Sequence, residues 1–151
     1  MIARGSVRIY ERDGVYQLYV TQLEPAGVGE WFRLFEERKA QFEEMGMFSE
    51  EYKKPIPRFA KKVGVVTAKT GAAIQDIINI THRRNPYVQL ILYPTLVQGE
   101  SAAVNIAAGI DYLDTLGLDV IIVGRGGGSI EDLWAFNEEC VAMAIFRCET
   151  P

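Results

Sequence analysis

The sequence contains little of what several common protein classes require. Among 151 residues there are two cysteines and one histidine, and no apolar run approaches the roughly 18 residues of a membrane-spanning helix. Two cysteines, Cys140 and Cys148, match no metal-ligand cluster and favour a reduced, cytosolic setting over a disulfide scaffold. The sequence also has no serine nucleophile elbow, and no Walker lysine follows its glycine-rich stretch. These absences argue against a membrane protein, a serine hydrolase and a nucleoside-triphosphate hydrolase.

Positive charge is scarce overall but concentrated in one stretch. The net charge of −4 at pH 7 argues against a generic basic nucleic-acid binder. Residues 52–84 nevertheless place many cations against a single acid, Asp76, while residues 85–151 hold only Arg125 and Arg147 as cations. The cations of the basic stretch are Lys53, Lys54, Arg58, Lys61, Lys62, Lys69, Arg83 and Arg84. Such a stretch could hold a polyanion or could simply be solvated surface.

The first part of the chain predicts a hairpin, a helix and a linker. Residues 6–20 alternate around Asp13-Gly14, a pair typical of tight hairpin turns. A lone hairpin is marginal in water, so we expect that the earlier strands of a β-domain are missing or that another chain supplies the partner strands. Residues 30–45 show the apolar spacing of an amphipathic helix that packs on a neighbour. Residues 47–62, rich in proline and basic residues, predict a linker.

The rest of the chain alternates between strand and helix patterns. The predicted strands are 63–67, 88–93 and 119–123, and the predicted helices are 71–84, 101–116 and 130–147. Nearly all-apolar strands alternating with helices indicate an α/β fold with a parallel sheet covered by helices. Three strands make a thin sheet, and the chain stops where a fourth is due, so we expect the C-terminal side to be cut as well.

Three loops are expected to meet at one edge of this sheet. In such folds ligands bind beyond the carboxyl ends of the strands. The loops there are 67–71, 94–99 and 124–129, and each contains glycine or hydroxyl groups. From the first loop we take Thr67, Thr70 and Gly71 as candidate phosphate or DNA ligands.

The third loop carries the strongest anion-binding pattern. Its three adjacent glycines, which leave the backbone amides bare, are Gly126, Gly127 and Gly128. Ser129 fits a helix N-cap, with Asp132 three residues later as in a capping box. A helix beginning at residue 130 would add a partial positive charge of about half a unit, and Arg125 would add a planar fork matched to phosphate oxygens. The alternative is a tight strand-to-helix turn with a capped helix and no ligand.

The remaining polar candidates each have an ordinary structural reading. Glu131 and Asp132 suit a first helical turn, and Mg²⁺ would need carboxylates converging from several elements or a bound phosphate. Asn137 could orient a ligand or lie on the surface. Periodicity places Asp76 opposite the apolar stripe of its helix, as a solvated acid, and His82 suits a surface cation better than a catalytic base.

Four motifs resemble the nuclease domain of the large subunit of exodeoxyribonuclease VII. They are GVVTAKTGAAIQDI (64–77), RRNP (83–86), YPTLVQGESAA (93–103) and VGRGGGSIEDLWAFNEE (123–139). Their order and spacing match as well. Upstream, SVRIYERDGVYQLYV resembles the last strands of the family's OB-fold, and the helix ending in EEYKKPIP resembles its connector, so the resemblance covers essentially the whole chain.

The resemblance implies a domain layout. Residues 1–24 would be the C-terminal strands of an OB-fold, residues 25–62 a connector helix and linker, and residues 63–151 the first part of an incomplete, Rossmann-like α/β nuclease domain. The family's next motif, with a histidine and another aspartate, would lie beyond Pro151. We therefore expect this chain by itself to lack full activity.

The resemblance also implies a function. It indicates a cytosolic hydrolase that degrades single-stranded DNA from either end to oligonucleotides, together with several copies of a small helical subunit and with no strict need for a divalent metal such as magnesium. Matched by motif, Asp76 and Arg125 would be catalytic, with the glycine loop beside the arginine. From the residues themselves, we expect the loop Gly126 to Ser129 to bind phosphate and take Glu131, Asp132 and Asn137 as candidates for its support. Binding of the DNA strand would come chiefly from stacking of bases on OB-fold aromatics. Tyr10, Tyr16 and Tyr19 are candidates, although packing in the core or the hairpin is the more common role for any one of them.

Two other functions fit the residues. A Rossmann-like module could bind a phosphorylated small molecule at the glycine loop. A catalytically silent segment could dock a partner through the helix at 30–45.

Overall fold

The computed structural model describes residues 2–10, 15–24, 28–128 and 130–151. The predicted turn at Asp13-Gly14 and the predicted cap at Ser129 lie outside these residues. The chain divides into two compact units, residues 1–41 and residues 42–151. Within the described ranges, no helix has both the length and the apolar character needed to span a bilayer.

The first unit begins with the predicted hairpin. Strand β1 (Ile2–Tyr10) pairs antiparallel with β2 (Val15–Glu24). Val7 lies opposite Leu18 and Ile9 opposite Tyr16, and paired residues share a face, so one face of the hairpin is apolar. The other face carries Ser6, Arg8, Gln17 and Tyr19. Residues 3–9 and 15–22 are all exposed.

The hairpin is followed by helix α1, Val28–Glu44, close to the predicted bounds. An ion pair one turn apart, Arg33 to Glu37, supports its exposed side. Phe42 near its end is buried. The linker then forms a 3₁₀ turn over Glu50–Tyr52, and the Tyr52 ring meets Phe146 edge-on with 4.9 Å between centroids.

The second unit contains a parallel sheet of three strands. These are β3 (Lys62–Thr67), β4 (Gln89–Pro94) and β5 (Val120–Val123), in the order β4-β3-β5. The five residues of β3 after Lys62 are buried, as expected for the central strand of a covered sheet. The predicted mixed α/β architecture with a parallel sheet is confirmed.

Helices α2 (Ala72–Arg84) and α3 (Ala102–Asp114) cover opposite faces of this sheet. Val65 packs with Ile74 of α2, whereas Val66 packs with Ile106 of α3. Because neighbouring side chains of a strand point to opposite faces, these contacts place the two helices on different sides.

The prediction of one continuous helix over 130–147 is wrong. The segment forms α4 (Ile130–Leu133), a 3₁₀ turn (Trp134–Asn137) and α5 (Glu139–Arg147), separated at Glu138 by extended backbone. Ala135 and Phe136 in the 3₁₀ turn pack against the main core cluster. Tertiary packing therefore overrides a sequence pattern that is compatible with a longer helix.

Asp114 fixes the end of the chain at the amino edge of the sheet. Its Oδ1 accepts hydrogen bonds from the Thr150 amide and hydroxyl, each at 2.8 Å, and its Oδ2 accepts one from the Glu149 amide at 2.9 Å. Burial by itself would raise the pKa of Asp114, but these bonds and one from Cys148 Sγ lower it to about 2. Pro151 O accepts a hydrogen bond from Ile121 N at 2.9 Å on the outer side of β5.

A second aspartate secures the start of β3. Asp119 Oδ2 accepts hydrogen bonds from the amides of Lys61 and Lys62 at 2.6 and 2.8 Å. These hydrogen bonds, chiefly the one from Lys62, lower the pKa of the Asp119 carboxyl. The carboxylate thus ties β3 to the segment that enters β5.

Candidate functional site

The strand order creates a crevice at the carboxyl edge of the sheet. β4 lies on one side of β3 and β5 on the other. The connections after β3 and after β4 therefore leave in opposite directions, and the loops at the ends of β3 and β5 diverge. This divergence is the usual position of ligands in open α/β sheets.

A cavity of about 270 Å³ lies at this crevice. Its walls come from all three predicted loops and from the first turn of α2. They are Thr67, Ala68, Thr70, Gly71, Ala72, Ala73, Ile74, Val97, Gln98, Arg125, Gly126 and Gly127. The predicted convergence of the three loops is confirmed as geometry, whereas the role of each residue stays a prediction.

The N-terminus of α2 faces this cavity. No side chain caps the helix, its first turn contains no acid, and Gly71 at the cap has φ +134°, a conformation that favours glycine. The first amides of a helix have no intrahelical partner and carry a partial positive charge. The thirteen-residue α2 therefore presents an electropositive end to the cavity.

Arg125 is held by its own loop. Only 9% of its side chain is exposed. Its Nε donates to Gly126 O at 3.1 Å and its Nη2 donates to Gly127 O at 2.9 Å. Nη1 lies 3.7 Å from Asp132 Oδ1 and is a buried donor with no hydrogen-bond partner among the described residues. The guanidinium is thus a fixed charge and not the freely extended fork that the sequence suggested, because two of its three nitrogens bind the loop.

The glycines supply space for this arginine. A Cβ on Gly128 would lie 2.3 Å from Arg125 Nη2, whereas Cβ atoms on Gly126 and Gly127 would meet nothing within 4 Å. None of the three has a positive φ. A side chain at position 128 would therefore displace the guanidinium of Arg125, whereas Gly126 and Gly127 leave the cavity wall open.

The partial positive charge at the cavity comes from a different helix than the sequence suggested. The sequence suggested a long helix starting at residue 130, but α4 contains four residues, too few for the sum of peptide dipoles that builds a macrodipole. The helix with the length for this effect is α2, on the other side of the cavity. The predicted electropositive end is thus supplied by residues 71–74 in place of residues 130–133.

Asp76 is not brought into the cavity. It is exposed on α2, one turn beyond Ala72, so it shares the side of the helix that leads to the cavity but is not part of its wall. No hydrogen bond or ion pair joins Asp76 to Arg125 in the described structure. The two residues that the resemblance makes catalytic therefore lie near one helix end without touching.

The other predicted site residues take different positions. Thr67 is buried with 2% of its surface exposed, and Thr70 is exposed at the cavity mouth. Asn137 ends the 3₁₀ turn, half-buried and outside the cavity wall. Glu131 lies in α4, and its side chain is outside what the structure describes.

Two sources of polar groups in the cavity wall were not among the predicted site residues. Gln98 is an exposed amide in the loop after β4, and the first turn of α2 contributes backbone amides. Position in the loop after a strand could have identified Gln98, whereas the α2 amides become visible only when strand order is known. Within the described residues, no group of three or more His, Cys, Asp or Glu is arranged to hold a metal ion.

The geometry defines a class: an α/β protein with an electropositive cavity at the carboxyl edge of a parallel sheet. Residues 47–151 match the family model "Exonuclease VII, large subunit". The chain is 58% identical over its whole length to the exodeoxyribonuclease 7 large subunit of Lachnoclostridium phytofermentans, 50% to that of Oceanobacillus iheyensis and 51% to that of Clostridium novyi. The chain belongs to the exonuclease VII large subunit family.

The matches cover all of this chain but only part of each relative. It spans 38% of the first relative's length, 33% of the second and 38% of the third.

Proposed function

We propose that this chain forms the phosphate-binding part of a nuclease that hydrolyses single-stranded DNA from either end to oligonucleotides. The observation that carries the proposal is the cavity that is lined both by Arg125 and by the uncapped start of α2. Family membership supplies the reaction class, because the relatives are named exodeoxyribonucleases.

In this proposal a DNA phosphodiester occupies the cavity between two sources of positive charge. Anions bind well at helix N-termini, where amides point outward, and α2 provides such an end at Gly71. Thr67, Thr70 and the amides of Gly126 and Gly127 line the same space. Charge builds on the non-bridging oxygens during hydrolysis, and each fixed donor aimed there contributes about a hundredfold or more.

Arg125 is suited to this role because its position is fixed before substrate arrives. The loop carbonyls of Gly126 and Gly127 orient the guanidinium, and Asp132 lies beside the remaining nitrogen. A preorganised donor costs no reorganisation when charge develops. Glu131 and Asn137 would support the loop, and Asp76, one turn along α2, would orient the attacking water. We propose that cleavage does not strictly require a divalent metal such as magnesium.

We propose that the β1–β2 hairpin, as part of an OB-fold, guides the single-stranded DNA. Tyr19 lies on its polar face, with Arg8 5.7 Å from the ring centroid, an arrangement suited to stacking on bases. Tyr16 lies on the apolar face and is better suited to packing. The side chain of Tyr10 lies outside the described residues.

We also propose a domain layout and a subunit composition for the whole protein. Residues 1–24 would belong to the OB-fold, residues 25–62 to a connector, and residues 63–151 to a Rossmann-like nuclease domain. The relatives are named as large subunits. We propose by analogy a cytoplasmic complex with several copies of a small subunit.

Arg125→Ala in a full-length family protein carrying this sequence tests the proposal. We expect cleavage of single-stranded DNA to fall at least about a hundredfold, because one preorganised charged donor is lost. Arg125→Lys should recover little, since an ammonium cannot make the same paired bonds to Gly126 and Gly127. Release of acid-soluble nucleotides, with and without chelator, measures the effect.

Arg147→Ala is the matched control. Arg147 is an arginine of the same unit whose side chain is 61% exposed, and its loss should leave cleavage unchanged. Near-normal cleavage by Arg125→Ala would refute the assignment. Tight binding of a sugar phosphate with no action on DNA would favour the small-molecule module instead.

A further inference from the structure

A second recess lies at the opposite, amino edge of the sheet. It has a volume of about 270 Å³ and lies between the end of α2 and the start of β4. Its walls are Ile78, Thr81, His82, Asn85, Pro86, Val88 and Leu90. None of these residues lines the cavity around Arg125, so the recess is a separate feature.

The walls of the recess combine an apolar surface with a few polar groups. Ile78, Val88 and Leu90 supply the apolar part, and Thr81, His82 and Asn85 supply donors and acceptors. Asn85 Oδ1 accepts a hydrogen bond from the Tyr87 amide at 3.2 Å. That bond orients the Asn85 amide and leaves its NH₂ group to donate. A planar ring with hydrogen-bonding edges matches this chemistry.

Exposed cations and an aromatic ring flank the recess. Arg83 and Arg84 end α2, are exposed and form no ion pair with a described residue. Tyr87 follows two residues after the recess residue Asn85, with 92% of its surface exposed. Cations in a last helical turn also complement the helix dipole, but that effect requires neither an adjoining recess nor an exposed ring.

We propose that this recess binds one unpaired base of single-stranded DNA, with Arg83 and Arg84 contacting the neighbouring phosphates. The inference rests on the proposed function, because it extends the path of the same strand. Unpaired bases are recognised by stacking and by hydrogen bonds to their edges, and cations track the backbone. The recess is smaller than the roughly 300–1,000 Å³ typical of pockets for drug-sized ligands, which favours a single base over a larger cofactor.

The position explains what such a site would do. α2 connects the two edges: its start faces the Arg125 cavity and its end borders the recess. Thirteen residues of helix span about 20 Å. A strand bound at the recess and running along α2 would deliver a phosphodiester to the cavity, so the recess would hold the strand in place during cleavage.

The test compares binding of a fluorescein-labelled thymidine octamer with binding of an abasic octamer, by anisotropy, using this chain. The Ile78→Ser variant removes one of the three apolar side chains, Ile78, Val88 and Leu90, that line the recess. The variant should lose at least about fivefold of the chain's preference for the octamer with bases, because burial of one apolar side chain is worth that much or more in affinity. The Ile80→Ser variant is the control, because Ile80 is similarly exposed on the same helix but does not line the recess. Equal base preference in the two variants would overturn the proposal.

The phosphate contacts have a separate readout. Replacing Arg83 and Arg84 by alanine should weaken both octamers by a similar factor and reduce the slope of log affinity against log salt by about 1.4, about 0.7 for each contact to a single strand. The control replaces Arg33 and Arg38 of α1 by alanine and should reduce the slope less. An unchanged slope would overturn the proposal. It would also be overturned if the double variant lost binding to a partner protein and kept its full affinity for both octamers.

Failure of this inference differs from failure of the proposed function. If Arg125-dependent cleavage occurs and Ile78→Ser keeps full base preference, only the recess is wrongly assigned. If the unaltered chain binds no octamer and the full-length protein cleaves no single-stranded DNA, both are overturned.

Discussion

The two edges of the three-stranded sheet use charge in opposite ways. At the carboxyl edge a cation, Arg125, donates to main-chain carbonyls of its own loop. At the amino edge two acids, Asp114 and Asp119, accept from main-chain amides. Arg125 keeps one buried donor without a hydrogen-bond partner among the described residues, whereas both oxygens of Asp114 are occupied.

This difference in hydrogen bonding distinguishes a side chain that can bind a ligand, Arg125, from a side chain that stabilises the fold, Asp114. A buried donor without a partner lowers stability and persists where it has another use. A carboxylate that accepts several amide hydrogen bonds stabilises the segments it joins. We therefore expect changes beside Arg125 to reduce catalysis more than stability, and changes at Asp114 to do the reverse.

The largest expected effect comes from Gly128→Ala. The new Cβ would lie 2.3 Å from Nη2 and 2.8 Å from Cζ of Arg125, both in a buried guanidinium, so the arginine must move. Displacing a preorganised donor should reduce cleavage by about a hundredfold or more. Steady-state cleavage of single-stranded DNA by the full-length protein, with the unfolding midpoint recorded in parallel, measures both quantities.

Gly126→Ala sharpens this prediction. The same added methyl meets nothing within 4 Å, and Gly126 has no positive φ, so cleavage should change by less than about tenfold. If both variants lose activity equally, the glycines serve backbone freedom or close approach of DNA, and the packing argument at Gly128 is wrong.

Much of the sheet could be predicted because β3 and β5 are short apolar runs closed by glycine or threonine. Strand β3 was predicted as 63–67 and is Lys62–Thr67, and α2 was predicted as 71–84 and is Ala72–Arg84. These elements follow from local periodicity. Their order β4-β3-β5 does not, because strand order depends on which partners each strand pairs with.

The candidate site could be predicted as a set of loops but not as an arrangement. The sequence places Thr67 at the end of one strand and Arg125 just after another, which brings them to one edge of the sheet. It does not show that Arg125 binds the carbonyls beside it, because that contact depends on one side-chain rotamer. Nor does it show that the helix is interrupted at Glu138, because the interruption depends on how Phe136 packs against the core. By periodicity alone Asp76 is a solvated acid, and it is exposed.

The next largest effect is expected for stability at the amino edge. Asp114→Ala removes a carboxylate that accepts bonds from Glu149 and Thr150 and should reduce the free energy of unfolding by about 2–3 kcal/mol. Urea denaturation at pH 7 measures the loss. Asp111→Ala, on the same helix with 55% of its side chain exposed, should change stability by less than about 0.5 kcal/mol.

The pH dependence of the same group gives an independent check. The folded-state pKa of Asp114 is lowered from 3.8 to about 2, so its contribution is complete above about pH 5 and is lost as the pH falls through about 2. We expect about 1–2 kcal/mol of acid-dependent stability from this group, reduced from the full shift by solvent screening. Asp114→Ala should flatten the stability profile in that window, and an unchanged slope would contradict the proposed bonding.

The smallest effect compares two ion pairs of equal length. Arg125 to Asp132 and Arg147 to Asp111 both measure 3.7 Å, but the arginine side chains are 9% and 61% exposed. Asp132→Asn should cost about 1–2 kcal/mol because a buried guanidinium loses its counter-charge, whereas Asp111→Asn should cost less than about 0.5 kcal/mol. Chemical denaturation at low and at high salt measures both, and added salt should erase the Asp111 effect first. Equal costs would show that burial of Arg125 does not strengthen its pairing with Asp132, and the orientation of the guanidinium would then depend on the carbonyls of Gly126 and Gly127 alone.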